Sequence, residues 1–371
     1  MTALAPEIEP SVAPPLDPAA RHAGLRRSVF YPKADLAIPD AVLRALAAPD
    51  AEAVLTDAAH ARGSLARVLG CDAAAVRVEP LSQQGTFHHV FAGGLRDEPA
   101  RYVVRVNRLA AQFVDCQLLA DPLVATALAS RGIRCARVIA VDVSRRHVPT
   151  DVEVLERLAG RSLAEYDHDD AALAPHLAQL AMLLRQVHGI EGAGHGFIDV
   201  GSPGLTGIHA SWDDYLFTQL AAHLAAVEAA GLVTATEVAS ARDAFDAARP
   251  DLAAVPPRLL HGDPGNHNVV VDKDGVVLLD WEDALLGDPL FDIAFWATFH
   301  PERRWAGFFE AYFGAGWQPT RRFWLYFLRI ALSKTVHRLR FGYVDKPGRP
   351  PAAARIQRAL RGLAEAKAGA P

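Results

Sequence analysis

Hydrophobic residues in the first part of the chain change their spacing near Val76. Between residues 38 and 69 they recur every three or four positions, which predicts short amphipathic helices. From Val76 onward they form short apolar runs, and glycine and charged clusters divide these into predicted strands. A helix is predicted over residues 122–130, and two strands follow over residues 137–143 and 152–157. The first part therefore predicts a small lobe that is rich in β-structure.

After the Ala159-Gly160 pair the spacing becomes mainly helical. An apolar stripe between residues 177 and 188 has the period of a helix. Three further helices are predicted, over residues 212–231, 234–248 and 323–341. A β-hairpin interrupts them, with its turn at residues 272–275. The second part therefore predicts a larger, mainly helical lobe.

This change of spacing divides the chain into three parts. Residues 1–35, rich in Pro and Ala, are expected to be a disordered or irregular lead-in. Residues 36–158 are expected to form an N-lobe with an antiparallel sheet, and residues 159–371 a mainly helical C-lobe. The predicted fold class is α+β and bilobal. A cleft between two lobes is a common place for a ligand to bind.

Composition and charge narrow the class of protein. The 371 residues are 51% hydrophobic and 22% charged, which is typical of a globular chain of two lobes. A net charge of −5 gives no basic surface for nucleic acid, so no nucleic-acid partner is expected. No uncharged apolar stretch is long enough to span a membrane, and no signal peptide is apparent. Cys71, Cys116 and Cys135 form no CxxC pair, which favours thiols in the reducing cytoplasm.

One segment of the second half carries the most specific chemistry. Asp263 follows His261-Gly262, and Asn268 follows Asp263 by five positions. A loop between two short strands can point both side chains into one cleft, the Asp to accept a hydroxyl proton and the Asn to reach a metal ion. The returning strand ends at Asp280. Since Mg²⁺ prefers oxygen ligands, Asn268 and Asp280 are candidate ligands for this ion.

The three motifs HGDxxxxN, LLDWE and GDPxxD occur in this order, and together they resemble the aminoglycoside phosphotransferase and choline kinase-like family. The resemblance extends more weakly over residues 76–341. It implies a protein-kinase-like fold and the transfer of a phosphoryl group to a small molecule. It also implies that Asp263 is the catalytic base and that Asn268 and Asp280 bind Mg²⁺. Three more residues would support the catalytic loop and the helix after it: His261, Asp288 and Asp292.

The nucleotide is expected to lie against the first lobe. The resemblance places the turn that contains Gly85 and Thr86 over the phosphates, where backbone N–H groups can approach the anion. Arg105 stands where kinases keep a lysine for the phosphates, and a guanidinium can also bind phosphate oxygens. Asp121 is its expected acidic partner and Asp115 is a rival. Asp121 could instead cap the predicted helix that begins beside it.

The purine is expected near the connection between the lobes, at Glu156 and Leu158, where related kinases bond it through backbone atoms. Backbone recognition leaves ATP and GTP as equal candidates for the phosphoryl donor.

The sequence does not identify the molecule that accepts the phosphoryl group. Five acidic residues would suit a cationic acceptor: Asp213, Asp214, Glu282, Asp283 and Asp288. Five basic residues of the last predicted helix are expected to form a solvated face: Arg329, Lys334, His337, Arg338 and Arg340. An aminoglycoside, another hydroxylated antibiotic, a sugar or an amino alcohol all fit these observations.

The sequence therefore predicts a cytoplasmic, ATP- or GTP-dependent kinase of a small-molecule hydroxyl, with Mg²⁺ as cofactor. It could serve antibiotic resistance or metabolism, and its oligomeric state is open. A non-catalytic nucleotide-binding regulatory protein on the same scaffold is the alternative, since the strand lysine is missing and the phosphate turn has one glycine. A metal-dependent hydrolase that uses His261 and His267 is a third hypothesis.

Overall fold

The computed structural model describes residues 30–31, 34–36, 38–47, 51–82, 84–108 and 118–368. Two helices come first, α1 (Asp40–Ala47) and α2 (Ala51–Leu69), as the spacing of apolar residues predicts. Helix α2 ends at Gly70, whose φ of +67° lets the chain turn without the steric cost of a side chain. Ala61 and Leu65 of α2 are fully buried against the sheet that follows.

That sheet has five strands, all of which pair antiparallel in the order β1-β2-β3-β5-β4. Its members are β1 (Val76–Pro80), β2 (His88–Leu95), β3 (Tyr102–Asn107), β4 (Val138–Asp142) and β5 (Val152–Glu156). Val104 and Val106 of β3 pack into the cluster that contains α2. Because side chains alternate along a strand, Arg105 points to the opposite face. Its partner across the pair of strands is Glu153 of β5.

Between β3 and β4 lies α3 (Ala120–Ser130), which ends before Gly132. The prediction that Asp121 caps this helix is wrong. The capping position is Leu119, and Asp121 lies inside the first turn. Its carboxylate is instead directed across to Arg105 and to the backbone of Trp281. The rival Asp115 and the third cysteine, Cys116, lie outside the described residues, while Cys71 and Cys135 are free thiols.

The second lobe begins with the short strand β6 (Arg161–Ser162) and helix α4 (Asp170–Val187). The apolar stripe predicted for α4 is buried in the core of this lobe. Two strands that the sequence analysis did not predict follow, β7 (His195–Ile198) and β8 (Gly207–His209).

One long predicted helix is divided into two. In place of the helix predicted over residues 212–231, the structure has α5 (Trp212–Phe217) and α6 (Leu220–Ala229). The helix predicted over residues 234–248 is continuous and forms α7 (Ala235–Ala253). The break is at Gln219, whose φ is +55°. It leaves the carbonyls of Leu216 and Thr218 available to the buried Arg329, which donates to them at 2.7 and 2.6 Å. A buried cation therefore accounts for the break.

Four strands form the part of the chain that carries the three sequence motifs: β9 (Arg258–Leu260), β10 (Val269–Asp272), β11 (Gly275–Leu278) and β12 (Leu285–Gly287). Strands β10 and β11 form the predicted hairpin, and β10 also pairs with β6. Strands β9 and β12 join β7 and β8 in a second small sheet. Strand β12 has three residues, too few for a periodic signal in the sequence.

The remaining helices are α8 (Leu290–Thr298), α9 (Trp305–Phe313), α10 (Arg321–Arg340) and α11 (Ala352–Ala368). Helix α10 lies in the centre of the lobe. The expectation of a solvated basic face is wrong for Arg329, Lys334 and Arg338, which are all buried. Arg329 has backbone carbonyl partners, and Lys334 has an acidic one in another element. No helix within the described ranges is long and apolar enough to cross a membrane.

Most of the predicted lead-in, residues 1–29, lies outside the described residues. Its last part packs on the helical lobe: Phe30, Tyr31, Ala34 and Asp35 are buried. Tyr215 donates a hydrogen bond to the carbonyl of Phe30 at 2.6 Å, and the Arg329 guanidinium lies 3.6 Å from the centre of the Phe30 ring. We call these four residues the N-terminal strap. The boundaries of the three predicted parts stay a prediction.

Candidate active site

The loop after β9 is held by a buried carboxylate. The backbone N–H groups of His261 and Gly262 donate to Asp292 of α8 at 2.7 and 3.0 Å. His188 also donates to Asp292, at 3.0 Å, and its other ring nitrogen accepts from Tyr312 at 2.6 Å. All these groups are buried, so they keep their hydrogen bonds without competition from water. Asp292 therefore fixes the backbone that leads to Asp263.

His261 fixes the same loop from the other side. Its Nε2–H donates to the carbonyl of Leu279 at 2.9 Å, and its Nδ1 accepts from the backbone N–H of Asp263 at 3.3 Å. The ring packs against Trp281, with centroids 4.6 Å apart. This histidine joins the loop to the end of strand β11.

Asp263, Asn268 and Asp280 come together at one end of the β10–β11 hairpin. The Asn268 amide nitrogen donates to the carbonyl of Asp263 at 3.0 Å, and the carbonyl of Asn268 accepts from Leu279 at 2.8 Å. Asp280 is the next residue. With φ of +66° it turns away from the strand, and it makes no side-chain cap to the turn after it. The Asp280 carboxylate therefore does not cap this turn and instead accepts a hydrogen bond from Arg105.

This group offers amide and carboxylate oxygens, the ligands that Mg²⁺ prefers. The Asn268 side chain uses its nitrogen for the loop, so its oxygen is the atom that could face a metal ion. The Asp280 side chain is 39% exposed, the most accessible carboxylate of the group around Arg105. The residues present therefore fit a magnesium ion.

Arg105 lies between four carboxylates at the interface of the lobes. Its guanidinium donates to Asp121, Glu153 and Asp280 at 2.8, 2.9 and 2.7 Å, and also to Glu282. Burial lowers the pKa of Arg105, but the carboxylates raise it, Asp280 foremost, and it lies well above its ordinary value. Burial raises the pKa of Asp121 to about 6, against the lowering effect of Arg105. Four acids around one cation favour a further cation here.

The residues expected at the nucleotide lie along the first lobe. Gly85 and Thr86 are in the turn between β1 and β2, and the Gln84 side chain closes this turn by two hydrogen bonds to the backbone of Val90. Glu156 ends β5 with an exposed side chain, and Leu158 follows in the connection to the second lobe.

The Asp288 carboxylate holds two helices together. It accepts from the backbone of Leu290 at 2.9 Å, from the Tyr326 hydroxyl at 2.8 Å and from Arg322 at 3.1 Å. These contacts fasten the start of α8 to α10.

Comparison with known proteins decides the family. The model of the family described as "Phosphotransferase enzyme family" matches residues 77–327, more than half of the chain. The chain belongs to this phosphotransferase family. The resemblance inferred from the three motifs is thereby confirmed. No curated protein sequence matches the chain.

The fold is similar to those of several solved phosphotransferases and kinases. A thermostable mutant of aminoglycoside phosphotransferase APH(4)-Ia, in ternary complex with ADP and hygromycin B, is 22% identical with a TM-score of 0.59, over 83% of this chain and 99% of that one. A choline/ethanolamine kinase family protein from Mesorhizobium loti is 21% identical with a TM-score of 0.54, over 84% and 95%. Choline kinase LicA from Streptococcus pneumoniae is 16% identical with a TM-score of 0.53, over 82% and 97%. The α+β bilobal, kinase-like fold is confirmed.

Sequence reasoning missed Glu153 and His88 in the site of this phosphotransferase, and it assigned Glu282 to the acceptor side. Glu153 and Glu282 both bind Arg105, and His88 donates to Glu282 from the first lobe. The sequence did contain a signal for Glu153. This residue alternates with valines in a predicted strand, so its side chain points away from the valine face, and a buried carboxylate there needs a partner of opposite charge. Glu282 offered no such signal, because it meets Arg105 only through the packing of the two lobes.

The expected acidic acceptor pocket does not form as predicted. Glu282 faces Arg105, and Asp213 is held by Arg249 at 2.9 Å at the start of α5. Asp283 alone of the five acids lines the small cavity beside Gly262. Nor do the described residues contain a group of three or more His, Cys, Asp or Glu side chains that could hold a metal ion, which is what the hydrolase hypothesis requires.

Proposed function

We propose that the protein transfers the γ-phosphoryl group of ATP or GTP to a hydroxyl group of a small molecule, with Mg²⁺ as cofactor. One observation carries the proposal: Asp263 lies on a loop that Asp292 and His261 fix, beside Asn268 and Asp280 at the end of one hairpin. Kinase chemistry depends chiefly on such fixed positions, since positioning and charge stabilisation supply most of the rate.

Asp263 is the proposed base. Its carboxylate accepts the proton of the acceptor hydroxyl while the hydroxyl oxygen forms a bond to the γ-phosphorus. The bond from this phosphorus to the bridging oxygen breaks, and the nucleoside diphosphate leaves with the electron pair. The proton on Asp263 is then lost to solvent.

Asn268 and Asp280 are the proposed holders of Mg²⁺. When bound, this ion neutralises part of the charge on the phosphate oxygens. Asp280 accepts a hydrogen bond from the Arg105 guanidinium, so Arg105 orients this proposed metal ligand. Arg105 and the turn at Gly85 and Thr86 are the proposed contacts of the triphosphate on the first lobe.

The acceptor is proposed by class only. Solved structures of similar fold include a complex with hygromycin B and kinases named for choline, which supports an aminoglycoside or another hydroxylated antibiotic, a sugar or an amino alcohol. The purine is proposed to bond backbone at Glu156–Leu158. We place the reaction in the cytoplasm, where nucleotide and Mg²⁺ are available. A non-catalytic regulatory role is the alternative, and intact Asp263, Asn268 and Asp280 weigh against it.

A panel of acceptors tests the proposal. Nucleoside diphosphate release is measured with ATP and with GTP, with Mg²⁺ or excess chelator, for aminoglycosides, other hydroxylated antibiotics, sugars and amino alcohols. Mass spectrometry then identifies the phosphorylated product. Acceptor-dependent release that needs Mg²⁺ supports the kinase and names its acceptor. Nucleotide binding with no turnover for any acceptor favours the regulatory alternative.

A further inference from the structure

Lys334 of helix α10 contacts the proposed catalytic base. Its Nζ lies 3.3 Å from Oδ2 of Asp263, 71 residues away in the sequence. The same Nζ donates to the hydroxyl of Tyr31 in the N-terminal strap at 2.7 Å. It also lies 4.0 Å from the centre of the Tyr31 ring and 4.6 Å from that of Phe295. One ammonium group therefore connects the catalytic loop, the strap and α8.

Burial of the Lys334 ammonium group is unfavourable in free energy unless other groups compensate. The Lys334 side chain is 10% exposed, and its neighbours Ser333 and Thr335 on the helix are buried. Removing an ammonium group from water costs several kcal/mol unless opposite charge and hydrogen bonds compensate. Asp263 supplies the charge, the Tyr31 hydroxyl an acceptor, and the two rings favourable cation–π contacts. The ammonium is consequently held in one place.

A fixed ammonium has a direct consequence for Asp263. The backbone of this residue is held by His261 and Asn268. The contact with Lys334 acts on the side chain: it holds Oδ2 in place and so orients the carboxylate towards an acceptor hydroxyl. A small cavity bounded by Tyr31, Gly262, Asp283 and Lys334 lies beside this point. The strap thus borders the space next to the base.

We propose that Lys334 is a positioning residue for phosphoryl transfer, which orients the Asp263 carboxylate, and that Tyr31 of the N-terminal strap fixes Lys334 in turn. This inference rests on the proposed function. It makes the strap, which precedes the nucleotide-binding lobe in the sequence, a part of the active site in the second lobe.

Kinetics of full-length variants test the inference, with the acceptor that the panel identifies. Lys334→Met is expected to lower kcat about 100-fold, since a small misplacement of a catalytic group costs this much, while the KM for nucleotide stays near the wild-type value. Lys334→Arg keeps the charge and should recover part of kcat. Lys334→Ala leaves room for methylamine or ethylamine, and added amine should restore turnover. Tyr31→Phe removes one hydroxyl group and should lower kcat less than Lys334→Met does.

Arg338→Met is the matched control, because Arg338 is a buried cation one turn further along the same helix. It should lower the thermal stability without a selective loss of kcat and without rescue by amines. Normal kcat in a folded Lys334→Met variant would overturn the inference, as would an equal loss of kcat in Arg338→Met. If Lys334→Met fails to fold, a wild-type kcat in Tyr31→Phe together with no amine rescue of Lys334→Ala overturns it.

Asp263→Asn separates this inference from the proposed function. If wild type turns over, Asp263→Asn is inactive and Lys334→Met is normal, only the inference fails. If Asp263→Asn keeps its turnover, the role of Asp263 as base fails and the inference fails with it. If wild type turns over none of the acceptors, the proposed function itself fails.

Discussion

Arg105 and Asp280 are joined across the two lobes by a hydrogen bond of 2.7 Å. Arg105 stands in the middle of the first-lobe sheet, and Asp280 follows the hairpin of the second lobe. The same guanidinium binds Asp121 and Glu153 within its own lobe. The cation therefore links the sheet and helix α3, through buried carboxylates, to the more exposed proposed metal ligand.

Removal of this cation should destabilise the protein strongly. Arg105→Met leaves Asp121 and Glu153 buried without their partner, and breaking a buried ion pair from one side costs about 3–5 kcal/mol. Urea unfolding followed by circular dichroism measures the change in the free energy of unfolding. Arg161→Met removes an exposed pair with Glu165 and serves as the control, for which little change is expected. Equal effects in the two variants would contradict the network.

Gly262 is expected to be essential for the shape of the catalytic loop. Its φ is +83°, and an added Cβ would lie 1.9 Å from the carbonyl oxygen of Asp283. Gly262→Ala should therefore cost about 2–4 kcal/mol, from the strained backbone and from the clash, and should also abolish turnover. Thermal unfolding and steady-state kinetics measure both effects.

Gly231 offers a matched control for Gly262. Its φ is +70°, but an added Cβ meets nothing within 4 Å. Gly231→Ala should carry only the backbone cost of about 1 kcal/mol and keep full turnover. A Gly262→Ala variant that behaves like Gly231→Ala would show that the loop tolerates another conformation.

The residues placed by local structure could be predicted from the sequence. Asn268 and Asp280 flank a hairpin with a recognisable turn, so the spacing alone brings them together. Contacts between distant elements could not be predicted. Arg105 and Glu282 are 177 residues apart in the sequence, and Lys334 and Asp263 are 71 residues apart. No periodic pattern of residues in the sequence connects the members of either pair. The sequence predicts a solvated face for Lys334, because its acidic partner belongs to another element.

The helix break at Gln219 has the same kind of cause. The local sequence there favours one continuous helix. Arg329, 113 residues from the Leu216 carbonyl that it binds, requires free backbone acceptors. A long-range requirement of the core thus overrides local helix propensity.

Asp292 should govern activity without contacting a substrate. Asp292→Ala leaves the N–H groups of His261 and Gly262 without their acceptor, which should cost about 3–5 kcal/mol of stability. The released loop should also lower kcat by about 100-fold. Asp292→Asn keeps one acceptor oxygen and should lie between Asp292→Ala and wild type in both measurements. Wild-type kcat in a folded Asp292→Ala variant would contradict the role of Asp292 in fixing the loop.

Acid should destabilise the protein partly through His223. Burial, with the nearby Arg329, lowers the pKa of His223 to about 3. Its Nε2–H donates to Ala34 of the strap at 3.1 Å, and its Nδ1 accepts from Arg329 at 3.0 Å, so the native state needs the neutral ring. The pKa of an unfolded histidine is about 6.5, so this stability is complete above that pH and is lost as the pH falls towards 3.

The free energy of unfolding measured between pH 7 and pH 4 checks this assignment. His223→Gln should reduce the pH dependence by about 1.4 kcal/mol per pH unit below pH 6, the contribution of one histidine. Buried His300, whose pKa burial also lowers well below its ordinary value, should keep part of the slope in the variant. An unchanged slope in His223→Gln would show that this ring does not titrate on unfolding.

The central claim is that Asp263 acts in phosphoryl transfer. The most direct test measures nucleotide binding and acceptor-dependent turnover on the same preparations of Asp263→Asn and of Asp274→Asn, a control at the exposed tip of the neighbouring hairpin. Both variants should bind nucleotide, but Asp263→Asn should lose turnover by at least about 100-fold while Asp274→Asn keeps it. Turnover by Asp263→Asn at the rate of Asp274→Asn would contradict a catalytic role of Asp263.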